Sequence, residues 1–205
     1  PLLVAIVTQQ TDIALKLINH PYISDSINYV DNYGFTPLLL ATNTKQSDIA
    51  NQLIDHPSMS TINAIHKKSS TTALHIAIST KKTDIALKLL ARDDIGASIN
   101  HANLKGINPL RCAIEKEESV IALKLLEHPS LTKQSINQVN KATSPNEKGV
   151  STLLCAILYK QTEIALKLLE HDDISPSINE VDPRLSPPLI AAIQTKQPWI
   201  DFVDG

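Results

Sequence analysis

Apolar residues recur along this chain at helical spacing, inside a phrase that itself recurs. TDIALKLI spans 11–18, SDIANQLI 47–54, TDIALKLL 83–90, SVIALKLL 119–126 and TEIALKLL 162–169. Within each phrase the apolar positions i, i+1, i+4 and i+5 (Ile49, Ala50, Leu53 and Ile54 in the second) fall on one helical stripe. The phrase's alanines, Ala14, Ala50, Ala86, Ala122 and Ala165, are separated by 36, 36, 36 and 43 residues. A fixed period of this size marks one supersecondary unit stacked on copies of itself, each copy covering its neighbour's apolar face.

Residues 31–66 show one complete unit. DNYG places Gly34 where a tight turn needs positive φ. Thr36 precedes Pro37, whose fixed φ suits the first position of a helix over about 37–45. Ser47 is expected to cap a second helix, and Asp48 suits the positive end of its dipole. His56 and Pro57 end that helix, and Ile62 and Asn63 begin an extended return to the next turn. Leu2 and Ala5 match Leu38 and Ala41, so Pro1 stands in the Pro37 slot and the chain starts inside a repeat, as a piece excised from a longer protein would. Further units open at Thr72, Pro109, Thr152 and Pro188; in the last, Pro198 and Trp199 replace the usual second-helix start. The units run about 1–30, 31–66, 67–102, 103–145, 146–181 and an incomplete 182–205, forming a single domain.

Nineteen basic and 21 acidic side chains give a net charge of −2, so no global field draws in nucleic acid or an anionic membrane. No apolar run approaches the ~20 residues of a bilayer span, and no secretory signal is present. Cys112 and Cys155 occupy the same position in successive units. Stacked helices lie about 8–10 Å apart, beyond disulfide reach, so both are expected as buried free thiols in a reducing, cytoplasmic compartment.

TALHIA at 72–77, DNYGFTPLLLA at 31–41, and the order of turn, short helix, second helix and Asn-containing return together resemble the ankyrin repeat over essentially the whole chain. The resemblance implies an all-α solenoid of stacked helix–turn–helix units with hairpin-like loops. It departs from the family where Lys45, Lys81, Glu117 and Lys160 replace the glycine between helices. A left-handed residue other than glycine costs roughly 1 kcal/mol there, unless the turn differs. Pro57 and Pro129 stand where the family has glycine after the second helix, and these long-loop, HP-bearing repeats resemble those in effectors of intracellular bacteria. Such an origin would place the protein in a host cytosol. The hairpin after Ile136 carries an extra polar stretch, NKATSPN, and is expected to protrude.

Catalytic and metal chemistry find little purchase. His20, His56, His128 and His171, with Arg92 in the remaining slot, follow successive second helices. One per repeat is too widely spaced to share a zinc ion, and a basic residue at a helix C-terminus has a structural role already. His75 is expected to brace the hairpin backbone, and Asp93–Asp94 and Asp172–Asp173 to solvate their loops. No nucleophile–base pair converges, so no catalytic residue, metal or cofactor is assigned.

The family contacts partners through its hairpin tips and the ends of its first helices, along a concave face. Carried onto this chain, that implies Tyr33, Phe35, Lys68, Leu104, Lys105, Ile107, Lys148, Val150, Leu158 and Tyr159 as partner-binding residues. Three of the chain's seven aromatics are among them. Tip-to-tip packing is the competing role for Phe35 and Ile107. The expected function is a non-catalytic, monomeric module that binds a partner protein through this face. The alternative is an accessory or substrate-recruiting domain of an enzyme whose catalytic domain lies elsewhere; a lipid or small-molecule binder fits less well, since stacked repeats enclose no pocket.

Overall fold

The computed structural model describes residues 1–139 and 149–174. The 140–148 insertion, including Lys148, and the atypical sixth unit lie outside the described residues. In chain order the α-helices are α1 (Leu2–Val7), α2 (Thr11–Ile18), α3 (Ser24–Ile27), α4 (Pro37–Asn43), α5 (Ser47–Asp55), α6 (Ala73–Ser79), α7 (Thr83–Leu90), α8 (Gly96–Asn100), α9 (Pro109–Glu115), α10 (Ser119–Leu126), α11 (Lys133–Ile136), α12 (Thr152–Leu158) and α13 (Thr162–Leu169). Short 3-10 turns cover Asp93–Ile95 and Asp172–Ile174. The chain divides between Leu104 and Lys105 into two compact units.

Within Pro1–Leu104, the first helices α1, α4 and α6 pack in one row and the second helices α2, α5 and α7 in another. In the other unit α9 packs on α12 and α10 on α13. The recurring alanines lie at the bottom of each packed face: Ala14, Ala50, Ala86, Ala122 and Ala165 are all at most 2% exposed. Alanine lets neighbouring helices approach closely, and the flanking Leu53, Leu89 and Leu168 are fully buried.

First helices begin as expected. Thr36, Thr72, Asn108 and Ser151 each accept the backbone N–H three residues on, at 2.9–3.4 Å. Second helices do not. Ser47 and its counterparts are already helical, and the N-cap positions are Gln10, Gln46, Lys82, Glu118 and Gln161, with no side-chain cap bond. The connecting turn is so tight that each N-cap residue is also the third residue past the preceding helix.

That turn closes as a Schellman motif in four units. Gln10, Lys82, Glu118 and Gln161 donate their N–H to Ala5, Ala77, Ala113 and Ala156 carbonyls at 2.8–2.9 Å. The residue before each is left-handed: Gln9, Lys81, Glu117 and Lys160 have φ of +55° to +58°. The expectation of positive φ therefore holds at Lys81, Glu117 and Lys160 but not at Lys45, which is absent from the positive-φ residues. Instead Thr44 is extended (φ −102°, ψ 179°), and the Lys82 ammonium donates to the Thr42 carbonyl at 2.7 Å and to that of Thr44. Burial lowers the Lys82 pKa below the usual lysine value.

The returns are less extended than expected. The Ser/Thr-Ile-Asn stretches at 26–28, 98–100 and 135–137 end short helices, anchored by Ile27, Ile99 and Ile136, each fully buried. Among the described residues, only 61–63 stays non-helical, with Ile62 1% exposed.

Candidate partner-binding edge

Each hairpin starts from a local hydrogen-bonding rule. Asp31 Oδ1 accepts the N–H groups of Tyr33 and Phe35 at 2.9 and 2.7 Å, which bends the chain over Gly34 at φ +84°. A Cβ on Gly34 would meet the Ile65 carbonyl at 2.7 Å, so both handedness and close approach select glycine. The next hairpin lacks an acidic residue and closes from His66 instead, one residue wider. His66 N–H donates to Thr71 O at 2.9 Å, His66 Nδ1 meets Ser69 Oγ at 2.7 Å, and Ser70 takes the left-handed position at φ +53°.

Backbone bonds join successive tips. Lys67 N–H donates to Tyr33 O at 3.1 Å and Leu104 N–H to Ser69 O at 3.4 Å. On this braced edge the Tyr33 and Leu104 side chains are 71% and 59% exposed, and Lys68 is exposed. Phe35 differs: it is half-buried, its ring 4.2 Å from that of His66. That contact is the tip-to-tip packing weighed from the sequence.

In the unit beginning at Lys105, Gly106 turns at φ +73°, Lys105 is exposed and Ile107 half-buried. Val150 and Leu158 are half-buried, while Tyr159 remains 44% exposed. Burial, with the Glu115 carboxylate second, raises the Tyr159 pKa. Arg111, in the slot that His75 fills one first helix earlier, is 3% exposed. Its Nε donates to Glu115 Oε1 at 2.9 Å and its guanidinium to the Val150 carbonyl, which ties the end of one first helix to the turn of the next. Sequence reading did not single out Arg111; an arginine inside a TPLHxA-like phrase was the available signal.

Three polar ladders were also missed, although each repeats in sequence. Asn28 Nδ2 donates to Ser58 O, Asn63 Nδ2 to Asp94 O and Asn137 Nδ2 to Asp173 O, all at 2.6 Å. The Asp–Asp pairs thus serve through a backbone carbonyl besides facing solvent, and Asp94 also clamps Arg92 through two bonds of 2.8 Å. Gln46 Nε2 donates to Ile6 O at 2.9 Å, Lys82 to Thr42 O, and Gln161 Nε2 to Ile114 O at 2.5 Å, each joining a second-helix N-cap to the first helix of the preceding repeat. Third, His20, His56, His128 and His171 each accept, at Nδ1, the N–H two residues on, at 3.1–3.4 Å. His75 braces Thr72, meeting its hydroxyl at 3.0 Å and its N–H at 3.4 Å.

Cys112 and Cys155 are free and buried. Burial pushes their thiols up to about 11 and about 12, which leaves almost no thiolate at neutral pH. Among the described residues, no group of three or more His, Cys, Asp or Glu is placed to hold a metal ion, and no helix is long and apolar enough to cross a membrane.

Comparison with solved structures gives the ankyrin repeat domain of Bcl-3, a unique member of the IkappaB protein family, as a match with a TM-score of 0.64. The match covers 94% of this chain and 77% of that one, at 23% identity. This chain has the ankyrin-repeat fold. No family model and no curated protein matches the chain. An ankyrin-repeat fold supplies ordered surface from loops on a helical scaffold, and the exposed Tyr33, Leu104 and Tyr159 stand on such surface.

Proposed function

We propose that this chain is a non-catalytic protein-interaction module that holds a partner protein against its hairpin tips and first-helix ends, on the concave face of the stack. One observation carries the reading: Tyr33 and Leu104 stay 71% and 59% exposed on turns whose backbones are bonded to a neighbouring turn. Large apolar side chains on a rigid, solvent-facing edge lose little entropy on binding and make effective anchors. Tyr159 supplies the corresponding aromatic in the other compact unit. Phe35, Ile107, Val150 and Leu158 support these anchors from half-buried positions, and Lys68 and Lys105 form a polar rim; Lys148, the third lysine of the reading, lies outside the described residues. The near-balanced charge favours a protein over nucleic acid as partner. The module acts as a monomer in the cytoplasm, where free thiols persist, and in a host cytosol if it comes from an effector.

The test is capture of partners from lysate by the tagged chain and by its Tyr33→Ala/Leu104→Ala/Tyr159→Ala variant. All three residues are surface positions, so the fold should survive, which circular dichroism checks. Loss of captured protein by at least tenfold supports the reading; undiminished capture by a folded variant contradicts it.

A further inference from the structure

Ile13 breaks the pattern of its own repeat position. Its counterparts Ile49, Ile85 and Ile164 are 0%, 2% and 1% exposed, whereas Ile13 is 50% exposed. One turn further along the same helix, Leu17 is half-buried where Leu53, Leu89 and Leu168 are fully buried. On the neighbouring first helix, Val4 and Val7 are 64% and 60% exposed. Beside them a groove of about 430 Å³ runs between α1 and the α3 return, lined by Leu2, Leu3, Val4, Ser26 and Tyr29.

Within Pro1–Leu104, what buries Ile49 and Leu53 is a preceding helix pair: α4 packs on α1 and α5 on α2. The α1/α2 face bears the same residue types at the same positions, one period earlier. A terminal unit that ends a stack normally shows a polar outer face. Val4, Ile13 and Leu17, in the slots of Leu40, Ile49 and Leu53, give this one an apolar face with the chemistry of an internal unit.

We infer that the α1/α2 face is the seat of a further helix–turn–helix repeat of the same kind, supplied by the same polypeptide. Its second helix lies on Ile13 and Leu17, and its first helix on Val4 and in the groove by Tyr29. The side-chain rule at the N-caps names one expected bond. Gln10, the counterpart of Gln46, donates its amide to the penultimate carbonyl of the incoming first helix, as Gln46 donates to Ile6.

Cysteine labelling tests this in the polypeptide as its gene encodes it. Ile13→Cys and Tyr22→Cys are each treated with a maleimide; Tyr22 is 89% exposed in the loop after α2 and serves as the accessible reference. The native thiols are buried and supply little background. Labelling at position 13 should be at least 30-fold slower than at position 22, at every protein concentration. Rates within a fewfold of each other overturn the inference, as does protection that grows with concentration, which assigns the face to a second copy. A photo-crosslinker at Val4 identifies the cover. A link within the same polypeptide, to a helix pair preceding Pro1, supports the inference; a link to any other molecule overturns it.

Discussion

Asn63 holds the next repeat through Asp94: its amide donates to the Asp94 carbonyl at 2.6 Å, and its Oδ1 accepts the Ser98 N–H at 3.0 Å. One side chain thereby satisfies a backbone donor and a backbone acceptor one period away. Asn28 does the same for Ser58 and Ser60, at 2.6 and 2.8 Å. The repeats are therefore joined by directional bonds as well as by the alanine–leucine core.

Replacing Asn63 should cost more than its surface position implies. Asn63→Ala removes two partners from backbone groups, at about 1 kcal/mol each. A loss of about 2 kcal/mol is expected in urea denaturation, with Asn63→Asp at least as damaging because its carboxylate faces the Asp94 carbonyl. A change below about 0.5 kcal/mol would mean that water replaces the ladder freely.

Glycine substitution should separate the units. Lys81→Gly, Glu117→Gly and Lys160→Gly relieve left-handed residues at φ +55° to +58°. Each should stabilise by about 0.5–1 kcal/mol, since relief of strain outweighs the extra entropy of the unfolded chain. Lys45→Gly has no such strain to relieve and should be neutral or destabilising. The four variants compared by thermal melting give this contrast directly.

Both thiols should be silent in the native state. With pKa values near 11 and 12, Cys112 and Cys155 carry little thiolate at pH 8 and are buried as well. A chromogenic disulfide reagent should titrate no thiol in native protein and two in 6 M guanidinium. Rapid native reaction of either would show that its helix opens locally.

The Arg92–Asp94 clamp should appear as an acid-dependent stability term. The Arg92 hydrogen bond lowers the Asp94 pKa, so its contribution is present above the unfolded carboxylate range near 3.9 and fades as pH falls through the lower folded value. Both side chains are partly exposed, which limits the effect to roughly 1 kcal/mol or less. Asp94→Asn should therefore be less stable than the parent at pH 7 and indistinguishable from it near pH 2.

Helices and their stacking were legible because they rest on spacing. The Ile-Ala-Leu stripe locates the second helices, and Thr36–Pro37 fixes where α4 begins. What escaped depends on single side chains one repeat away. Ser47 looked like a cap because serine usually is one, yet the tight turn after α4 puts Gln46 at the N-cap and Ser47 is already helical. Lys45 avoids the left-handed region through an extended Thr44 and the Lys82 ammonium, 38 residues on from the Thr44 carbonyl it reaches. His66 replaces Asp31 as the hairpin's anchor by widening the turn, which no pattern of apolar positions reveals. Of the proposed partner-binding residues, Tyr33, Leu104 and Tyr159 stand well exposed. Phe35 is half-covered by the His66 ring of the next tip, the packing that the sequence offered as its competing role.

Photo-crosslinking in cells probes the interaction reading most directly, with a benzophenone amino acid placed at Tyr33 in one variant and at Tyr22 in another. Both side chains are exposed, at 71% and 89%, but only Tyr33 lies on the braced hairpin edge. A discrete protein adduct from position 33 and none from position 22 is the predicted result. Adducts of equal yield from both positions, or adducts from position 22 alone, would contradict it.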